Sequence, residues 1–384
     1  MIGHVDNIFD PSHYSKVSLP LEEAEALPRW CFTSQKFYER EIERIFLRTW
    51  VFVGRADEVA KPGDYFTIEI AGEPLIIMRD AARKLHALAN TCQHRGARLL
   101  KGKGNCGTHF SCPYHAWTYG SDGRLLGAPA MNTTHNFDKA DWGLPEIRLE
   151  TWDGFIFVNF DRDAIGLMEY LGDLPEQFAS YSFSDMVLTR RVEYELDCNW
   201  KIYAENSTEI YHTSVVHAGS LGNQEADLVP GLGNWTAIHM PGDETCAVLP
   251  EDKTTFPQIA TLRGRPKAGT HFCLIYPVVT FCCTHDCMWW LAAYPKGPTK
   301  SWLSVGSCFP KSTVARADFA EVVQKYYRRW DTATPEDNSV TAIQQQGLQS
   351  TLRRAGRMSW KEPSIHELAV WVKDRVIGDN SPLV

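Results

Sequence analysis

The sequence predicts an α+β protein with two domains: a small antiparallel β domain, and a second domain built from helices and an antiparallel sheet. The chain of 384 residues exceeds what one ordinary hydrophobic core accommodates. Short strand-like runs separated by glycine-containing turns occupy residues 45–160. Longer strand-like runs mixed with helical segments occupy residues 161–384, and we expect residues 1–44 to pack on this second domain.

Individual elements follow from the spacing of apolar residues. An amphipathic helix is predicted at 35–50, and a hairpin is predicted from the runs 65–70 and 74–78. In the second domain, the sequence predicts helices at 169–181, 315–330 and 364–377, and strands at 187–195, 272–283, 288–294 and 301–309.

Composition and charge exclude several classes of protein. The net charge of −8 argues against a nucleic-acid partner. The first thirty residues lack an apolar export segment, and the longest apolar run, 272–283, is too short to span a membrane. We therefore expect a cytoplasmic protein without a membrane partner. Its eleven cysteines should be thiols or metal ligands rather than disulfides.

Two Cys/His pairs stand out in the predicted β domain. Cys92 and His94 are separated by one residue, and Cys112 and His115 follow after a gap of 17 residues. Such a set suits a structural zinc ion or an iron–sulfur cluster. The tight first pair and the flanking Arg95, Tyr114 and Trp117 favour a cluster.

A competing pair, Cys106 and His109, has the same spacing as Cys112 and His115. It lies in a Gly-Asn-Cys-Gly-Thr stretch without aromatic cover, so we expect the later pair to be the functional one.

A second candidate site contains Glu209, His212 and His217. On a regular helix, two residues five positions apart point about 140° away from each other. Both histidines can bind one metal only if the helix ends or distorts between them. Two histidines and a carboxylate are the ligands of iron(II) enzymes that activate O₂.

These motifs together resemble those of Rieske non-haem iron ring-hydroxylating oxygenase α subunits. The resemblance covers about 35–375. In the β domain, it rests on the first Cys/His pair with Arg95 and Gly96, and on the second Cys/His pair with Pro113, Tyr114 and Trp117. In the second domain, it rests on the motifs Asn199–Trp200–Lys201, Glu205–Asn206 and Glu209–His217. It implies that Cys92 and Cys112 hold one iron of a [2Fe–2S] cluster, His94 and His115 hold the other, and His212 and His217 bind a mononuclear iron. It further implies that Glu209 links this iron to a Rieske histidine of a neighbouring subunit in a homotrimer. Most members have Asp at this position, and Glu209 resembles the branch acting on carnitine and glycine betaine.

The third iron ligand should be a carboxylate further along the chain. Asp337 is our choice and Glu336 its rival, because the segment 334–348 resembles the family's Glu-Asp element followed by a Gln-x-Gly-Leu-like stretch. The same residues also resemble a helix start, with Thr334 as N-cap and Pro335 in the first turn.

The resemblance implies a terminal oxygenase that receives electrons from NAD(P)H through a separate reductase or ferredoxin and uses O₂ to hydroxylate a small substrate. A quaternary amine or betaine is the first expectation and an aromatic acid the alternative. A zinc-stabilised binding protein without catalysis is an alternative of another class. Tyr276, Trp289, Trp290 and Tyr294 can offer an aromatic face to a methylammonium group, but each is expected first as a core residue of a sheet. Because Trp289 and Trp290 are adjacent, at most one of them can face the pocket.

Overall fold

The protein divides into two compact units, as shown by a computed structural model that describes residues 7–378. One unit comprises residues 47–167, and the other comprises residues 7–46 together with 168–378. The first unit is therefore inserted into the chain of the second. The first is almost entirely β and the second mixes helices with an antiparallel sheet, so the predicted α+β class is confirmed.

The inserted unit consists of ten strands. These are β1 Val51–Arg55, β2 Asp64–Ile70, β3 Glu73–Arg79, β4 Leu85–Ala89, β5 Lys103–Asn105, β6 His109–Ser111, β7 Thr118–Gly120, β8 Leu125–Gly127, β9 Glu146–Trp152 and β10 Phe155–Asn159. Seven of them form an antiparallel sheet in the order β1-β10-β9-β4-β3-β2-β5, and β6-β7-β8 form a second sheet. The predicted hairpin is present as β2 and β3, joined through Gly72 with φ +84°.

The larger unit contains one sheet and eight α-helices among its described residues. The helices are α1 Gln35–Glu41, α2 Leu167–Leu171, α3 Leu174–Phe178, α4 Trp200–Asn206, α5 Thr213–Val216, α6 Lys311–Val314, α7 Phe319–Leu348 and α8 Pro363–Ile377. The strands are β11 Met186–Leu196, β12 Asp227–Val229, β13 Trp235–Pro241, β14 Gly269–Ile275, β15 Val279–Cys283, β16 Met288–Gly297 and β17 Lys300–Pro310. They pair antiparallel in the order β11-β17-β16-β15-β14-β13-β12.

The single strand predicted at 272–283 is wrong, because the run forms two strands, β14 and β15. They pair with each other after a turn that contains Pro277. The short strand β12 and its partner β13 were not predicted.

The single helix predicted at 169–181 is also wrong. It breaks at Gly172, which has φ +60° and whose Cβ position would lie 1.7 Å from the carbonyl oxygen of Leu232. The next residue, Asp173, accepts a hydrogen bond from the backbone of Leu232 at 2.7 Å. The chain therefore forms two short helices and a 3₁₀ turn where periodicity alone predicted one helix.

The segment that resembles a helix start at Thr334 lies instead inside α7, which runs for 30 residues without interruption and contains Pro335 in its interior. An interior proline costs about 3 kcal/mol, since it removes one backbone hydrogen bond. Buried side chains on both sides of the proline, including Tyr326, Trp330, Thr341 and Gln345, offset this cost.

The N-terminal segment belongs to the larger unit. Its predicted helix is present as α1 followed by a π-helical turn, Ile42–Phe46. Glu41 and Lys201 form a fully buried ion pair at 2.5 Å. Gln345 of α7 donates a hydrogen bond to the carbonyl of Phe32 at 3.2 Å. Hydrogen bonds and charge together hold this segment against α4 and α7.

Within residues 7–378, the longest apolar helical stretch falls short of what crossing a bilayer requires.

Candidate metal centres

The two Cys/His pairs lie in loops with the same backbone geometry. In the first loop, the N–H of Cys92 donates to the carbonyl of Ala97, and the N–H of Gly96 donates to the carbonyl of Cys92. In the second loop, Cys112 and Ala116 make the corresponding bonds, with Trp117 as acceptor. The fourth residue after each cysteine has a positive φ, +76° at Gly96 and +58° at Ala116. Each loop therefore presents its thiol and imidazole in an equivalent way.

The thiols and the imidazoles differ in exposure. Cys92 and Cys112 are buried, with 2% and 4% of their surface exposed, whereas His94 is exposed. The rings of His94 and His115 lie side by side, with centroids 4.7 Å apart, and His94 stacks on Trp117. The two loops thus form a site with sulfur ligands inside and nitrogen ligands at the surface.

A tyrosine completes the buried end of this site. The hydroxyl of Tyr119 lies 3.4 Å from Cys92 Sγ and accepts a hydrogen bond from the N–H of Gln93 at 3.0 Å. A hydroxyl beside a sulfur ligand can tune a cluster's reduction potential. This role was not predicted, because Tyr119 lies in β7, outside both Cys/His loops.

The competing pair makes other contacts. Cys106 donates to the carbonyl of Gly63, and the ring of His109 pairs with the hydroxyl of Thr108.

No three of the four ligand atoms of these two loops lie within 4.8 Å of one another. Four ligands of a single zinc ion lie within about 4 Å of one another, given Zn–ligand distances of 2.0–2.3 Å. Within residues 7–378, only His212, His217 and Asp337 bring three ligand atoms within 4.8 Å. Two buried thiols and two adjacent imidazoles fit a binuclear cluster, which separates its sulfur and nitrogen ligands.

The second site is held by a very short helix. The four residues of α5 separate His212, at its N-cap, from His217, at its C-cap. Because the helix begins after His212 and ends before His217, the two rings converge, with centroids 5.1 Å apart. The helix is therefore interrupted as two histidines five positions apart must have it to bind one metal.

A carboxylate from α7 lies between the two rings. Oδ1 of Asp337 is 3.1 Å from Nε2 of His217 and 3.5 Å from Nε2 of His212. The amide of Asn206 donates to the same oxygen at 3.0 Å. These three side chains can hold one metal ion with an imidazole–imidazole–carboxylate set.

Two glutamates hold the opposite nitrogens of the rings. Oε1 of Glu209 binds Nδ1 of His212, and Oε2 of Glu336 binds Nδ1 of His217 at 2.7 Å. Ser220 donates to the same oxygen of Glu336 at 2.7 Å. Glu336 therefore orients a histidine from outside, while Asp337 faces both rings from inside. The role of Glu336 was missed, because nothing local to it points to His217.

The site is strongly coupled electrostatically. Burial alone would lower the pKa of His212, but hydrogen bonds to Asp337 and Glu209 outweigh this effect and raise the pKa to about 9. The same histidines hold the pKa of the Asp337 carboxyl below its usual value, although burial opposes this. Because metal and proton compete for the imidazole, metal binding here is expected to release a proton.

A cavity of about 50 Å³ opens beside these ligands. Its walls include Phe272, Trp289, Arg329 and Ala333. The aromatic face that four side chains can offer is mostly absent. Tyr276 packs on Trp371 and Tyr294 on Trp302, and Trp290 packs against Gly306. Only Trp289 of the four lines the cavity, and the guanidinium of Arg329 lies 4.9 Å from the centre of its ring.

Both units match known families. Residues 49–138 match the Rieske [2Fe-2S] domain, and residues 183–378 match the ring hydroxylating alpha subunit (catalytic domain). The chain belongs to the ring-hydroxylating α-subunit family. The resemblance drawn from the motifs is confirmed.

Several curated proteins are similar to this family member. This chain is 34% identical over 206 residues to a carnitine monooxygenase oxygenase subunit of Acinetobacter pittii (strain PHEA-2). The aligned residues make up 53% of this chain and 56% of that protein. The match therefore spans only about half of that relative. Choline monooxygenase of Beta vulgaris is 29% identical over 95% of this chain and 79% of that protein. The large subunit of anthranilate 1,2-dioxygenase of Acinetobacter baylyi (strain ATCC 33305 / BD413 / ADP1) is 36% identical, over 52% of this chain and 44% of that protein.

A solved structure has the same fold. The quaternary ammonium Rieske monooxygenase CntA, in complex with γ-butyrobetaine, superimposes with a TM-score of 0.79 at 25% identity. The superposition covers 94% of this chain and 98% of that one.

Proposed function

We propose that this α subunit is the terminal oxygenase component of a Rieske-type oxygenase. It would use O₂ and reductase-supplied electrons to hydroxylate a small quaternary amine or betaine, with N-demethylation or C–N cleavage following. The main evidence for this proposal is that Nε2 of His212 and Nε2 of His217 both point at Oδ1 of Asp337. Iron(II) held by two histidines and one carboxylate supplies O₂ activation, because its other positions remain open.

The protein's own residues orient this ligand set. Glu209 and Glu336 each accept a hydrogen bond from one imidazole Nδ1, which leaves both Nε2 atoms for the metal. The amide of Asn206 fixes the Asp337 carboxylate between the rings. We propose Asp337 as the third ligand and Glu336 as its supporting neighbour.

For the Rieske unit, we propose that Cys92 and Cys112 hold one iron of the cluster and that His94 and His115 hold the other. The exposed edge of His94 is open to an electron partner, which we expect to be a separate reductase or ferredoxin using NAD(P)H. We expect a cytoplasmic homotrimer in which Glu209 links neighbouring subunits. Inter-subunit electron transfer is described for a solved relative, the quaternary ammonium Rieske monooxygenase.

The substrate class rests on the relatives. Two of them act on carnitine and choline by name, which favours a quaternary amine. Hydroxylation or dihydroxylation of an aromatic acid is the second candidate, because the anthranilate dioxygenase subunit is also similar. The match of residues 49–138 to the Rieske [2Fe-2S] domain argues against the zinc-stabilised binding protein.

The first experiment measures metal content together with visible and EPR spectra of anaerobically purified protein. Wild type is compared with Cys112→Ser and with Cys106→Ser as the matched control. We expect a red-brown protein with about three irons per chain, and a reduced-cluster EPR signal that only Cys112→Ser abolishes. A colourless protein with zinc and no iron would overturn the proposal.

The second experiment measures NADH and O₂ consumption with a surrogate reductase. Betaines and carnitine should stimulate both, whereas benzoate-type acids should not. Stimulation by the aromatic acids alone would replace the amine assignment with the second candidate.

A further inference from the structure

An arginine without a counter-charge lies in the wall of the catalytic cavity. Arg329, Ala333 and Asp337 are spaced by four residues along α7, and all three line the cavity that contains His212 and His217. A spacing of four places them on one face of the helix. One face of α7 therefore carries both the proposed iron ligand and the arginine.

Arg329 is 93% buried, with only 7% of its surface exposed. Its Nε donates to the carbonyl of Cys246 at 3.2 Å. Within residues 7–378, no carboxylate forms an ion pair with it, and its two terminal nitrogens make no hydrogen bond. Its terminal nitrogens are not among the fully enclosed polar atoms that lack a partner, so they are open to the cavity, where an anionic ligand can supply the missing counter-charge.

The neighbouring residue provides a contrast. Arg328 is exposed and pairs with Asp252 at 2.5 Å on the outside of the same helix. Two consecutive arginines thus differ in burial and in counter-ion: the exposed Arg328 is neutralised by a carboxylate of the protein, and the buried Arg329 is not.

The position of the guanidinium also determines whether the ring of Trp289 can bind a methylammonium group. The ring that the sequence suggested for a methylammonium group already carries the Arg329 cation at 4.9 Å. A second cation on that face would be repelled. The cationic end of a zwitterionic substrate would instead point toward the iron ligands, roughly 12 Å further along the helix axis at Asp337.

We propose that Arg329 binds a carboxylate group of the substrate and orients it with the methylammonium end toward His212, His217 and Asp337. A guanidinium presents two parallel N–H groups that match a carboxylate, which favours this pairing over a single hydroxyl. The preferred substrate is then a trimethylammonium carboxylate rather than an amino alcohol. This inference deepens the proposed function and rests on it.

The test measures ligand binding to the anaerobic holoenzyme by titration calorimetry, with γ-butyrobetaine, choline and benzoate as probes. The variants are Arg329→Gln, Arg329→Lys and, as the matched control on the same helix, Arg328→Gln. Wild type should bind γ-butyrobetaine at least about 10-fold more tightly than choline. Arg329→Gln should weaken γ-butyrobetaine by about 10- to 100-fold and leave choline within about 2-fold.

The other variants sharpen the result. Arg329→Lys keeps the charge but loses the fork, so its loss for γ-butyrobetaine should be intermediate, and it remains informative if the glutamine variant does not fold. Arg328→Gln should bind all three probes as wild type does. Equal binding of γ-butyrobetaine to wild type and Arg329→Gln, or an equal loss for choline, would overturn the role of Arg329.

The role of Arg329 and the proposed function can fail separately. If wild type bound only benzoate and lost it in Arg329→Gln, the amine assignment would fall and the anion-binding role would stand. If wild type bound the quaternary amines regardless of residue 329, the role of Arg329 would fall and the proposed function would stand.

Discussion

The two candidate metal sites of this protein are built in opposite ways. The four proposed Rieske ligands come from two loops within 24 residues of sequence, and each loop repeats the backbone hydrogen bonds of the other. The mononuclear site combines His212 and His217 with Asp337, a residue more than a hundred positions later on another helix. A local site depends on loop conformation, whereas an assembled site depends on how whole elements pack.

The difference also extends to the supporting residues. At the Rieske site, support comes from residues close in sequence, namely Trp117 of the second loop and Tyr119 of β7. At the mononuclear site, both imidazoles are oriented by glutamates, one local and one from α7. Changes at the second site should therefore affect metal affinity and activity most, and changes at the first should affect potential and stability.

The largest effect is expected from Asp337→Ala. This change removes the only carboxylate that faces both Nε2 atoms among the described residues, so the mononuclear iron should be lost and activity should fall below detection. Metal analysis should show about one iron fewer per chain, and the visible spectrum of the cluster should be unchanged. Retention of full activity would show that another residue is the third ligand.

A smaller effect is expected from Glu336→Gln. The glutamine amide is uncharged, so it holds Nδ1 of His217 more weakly than the carboxylate does. Iron affinity should therefore fall by about 10- to 100-fold without being abolished. Iron titration of the metal-depleted protein measures this. Ser220→Ala, which removes only the hydroxyl that supports Glu336, serves as the milder comparison. A loss equal to that in Asp337→Ala would make Glu336 a ligand itself.

At the Rieske site, Tyr119→Phe should lower the reduction potential of the cluster. It removes one hydroxyl next to Cys92 Sγ, and one hydrogen bond corresponds to a shift of roughly 20–60 mV. Redox titration followed by EPR gives the value. Phe110→Leu changes a buried neighbour without a hydroxyl, and its potential should stay close to that of wild type.

The smallest effect is expected from substitutions that compare the two Cys/His loops directly. Gly96→Ala introduces a side chain at φ +76° and should destabilise the protein by about 1 kcal/mol, although the space around it is open. Ala116→Gly relieves the same conformation in the second loop and should be neutral or slightly stabilising. Thermal unfolding of both variants tests this. A stabilising Gly96→Ala or a destabilising Ala116→Gly would contradict the equivalence of the loops.

The sequence predicted what is local and missed what depends on packing. The Cys/His spacing, the hairpin and the break between His212 and His217 could all be inferred from a few neighbouring residues. The length of α7 could not, because Pro335 reads as a helix start when the buried residues on both sides are unknown.

Arg329 is an intermediate case. Its spacing of eight from Asp337 placed it on the same helix face, but this signal was usable only once α7 was known to be continuous. Of the four aromatic residues Tyr276, Trp289, Trp290 and Tyr294, only Trp289 reaches the cavity, because the others pack on residues far away in the sequence.

The buried pair between Glu41 and Lys201 has a consequence for engineering chimeric oxygenases. Removing residues 7–46 would leave the Lys201 ammonium buried without its counter-ion, a loss of about 3–5 kcal/mol that the rest of the catalytic unit would have to tolerate. The natural cassette for exchange between relatives is thus the inserted stretch 47–167, cut at both of its ends. A splice placed only after residue 167 would place a foreign N-terminal segment against α4, and Lys201 would keep a counter-ion only if that segment carried a carboxylate at the position of Glu41.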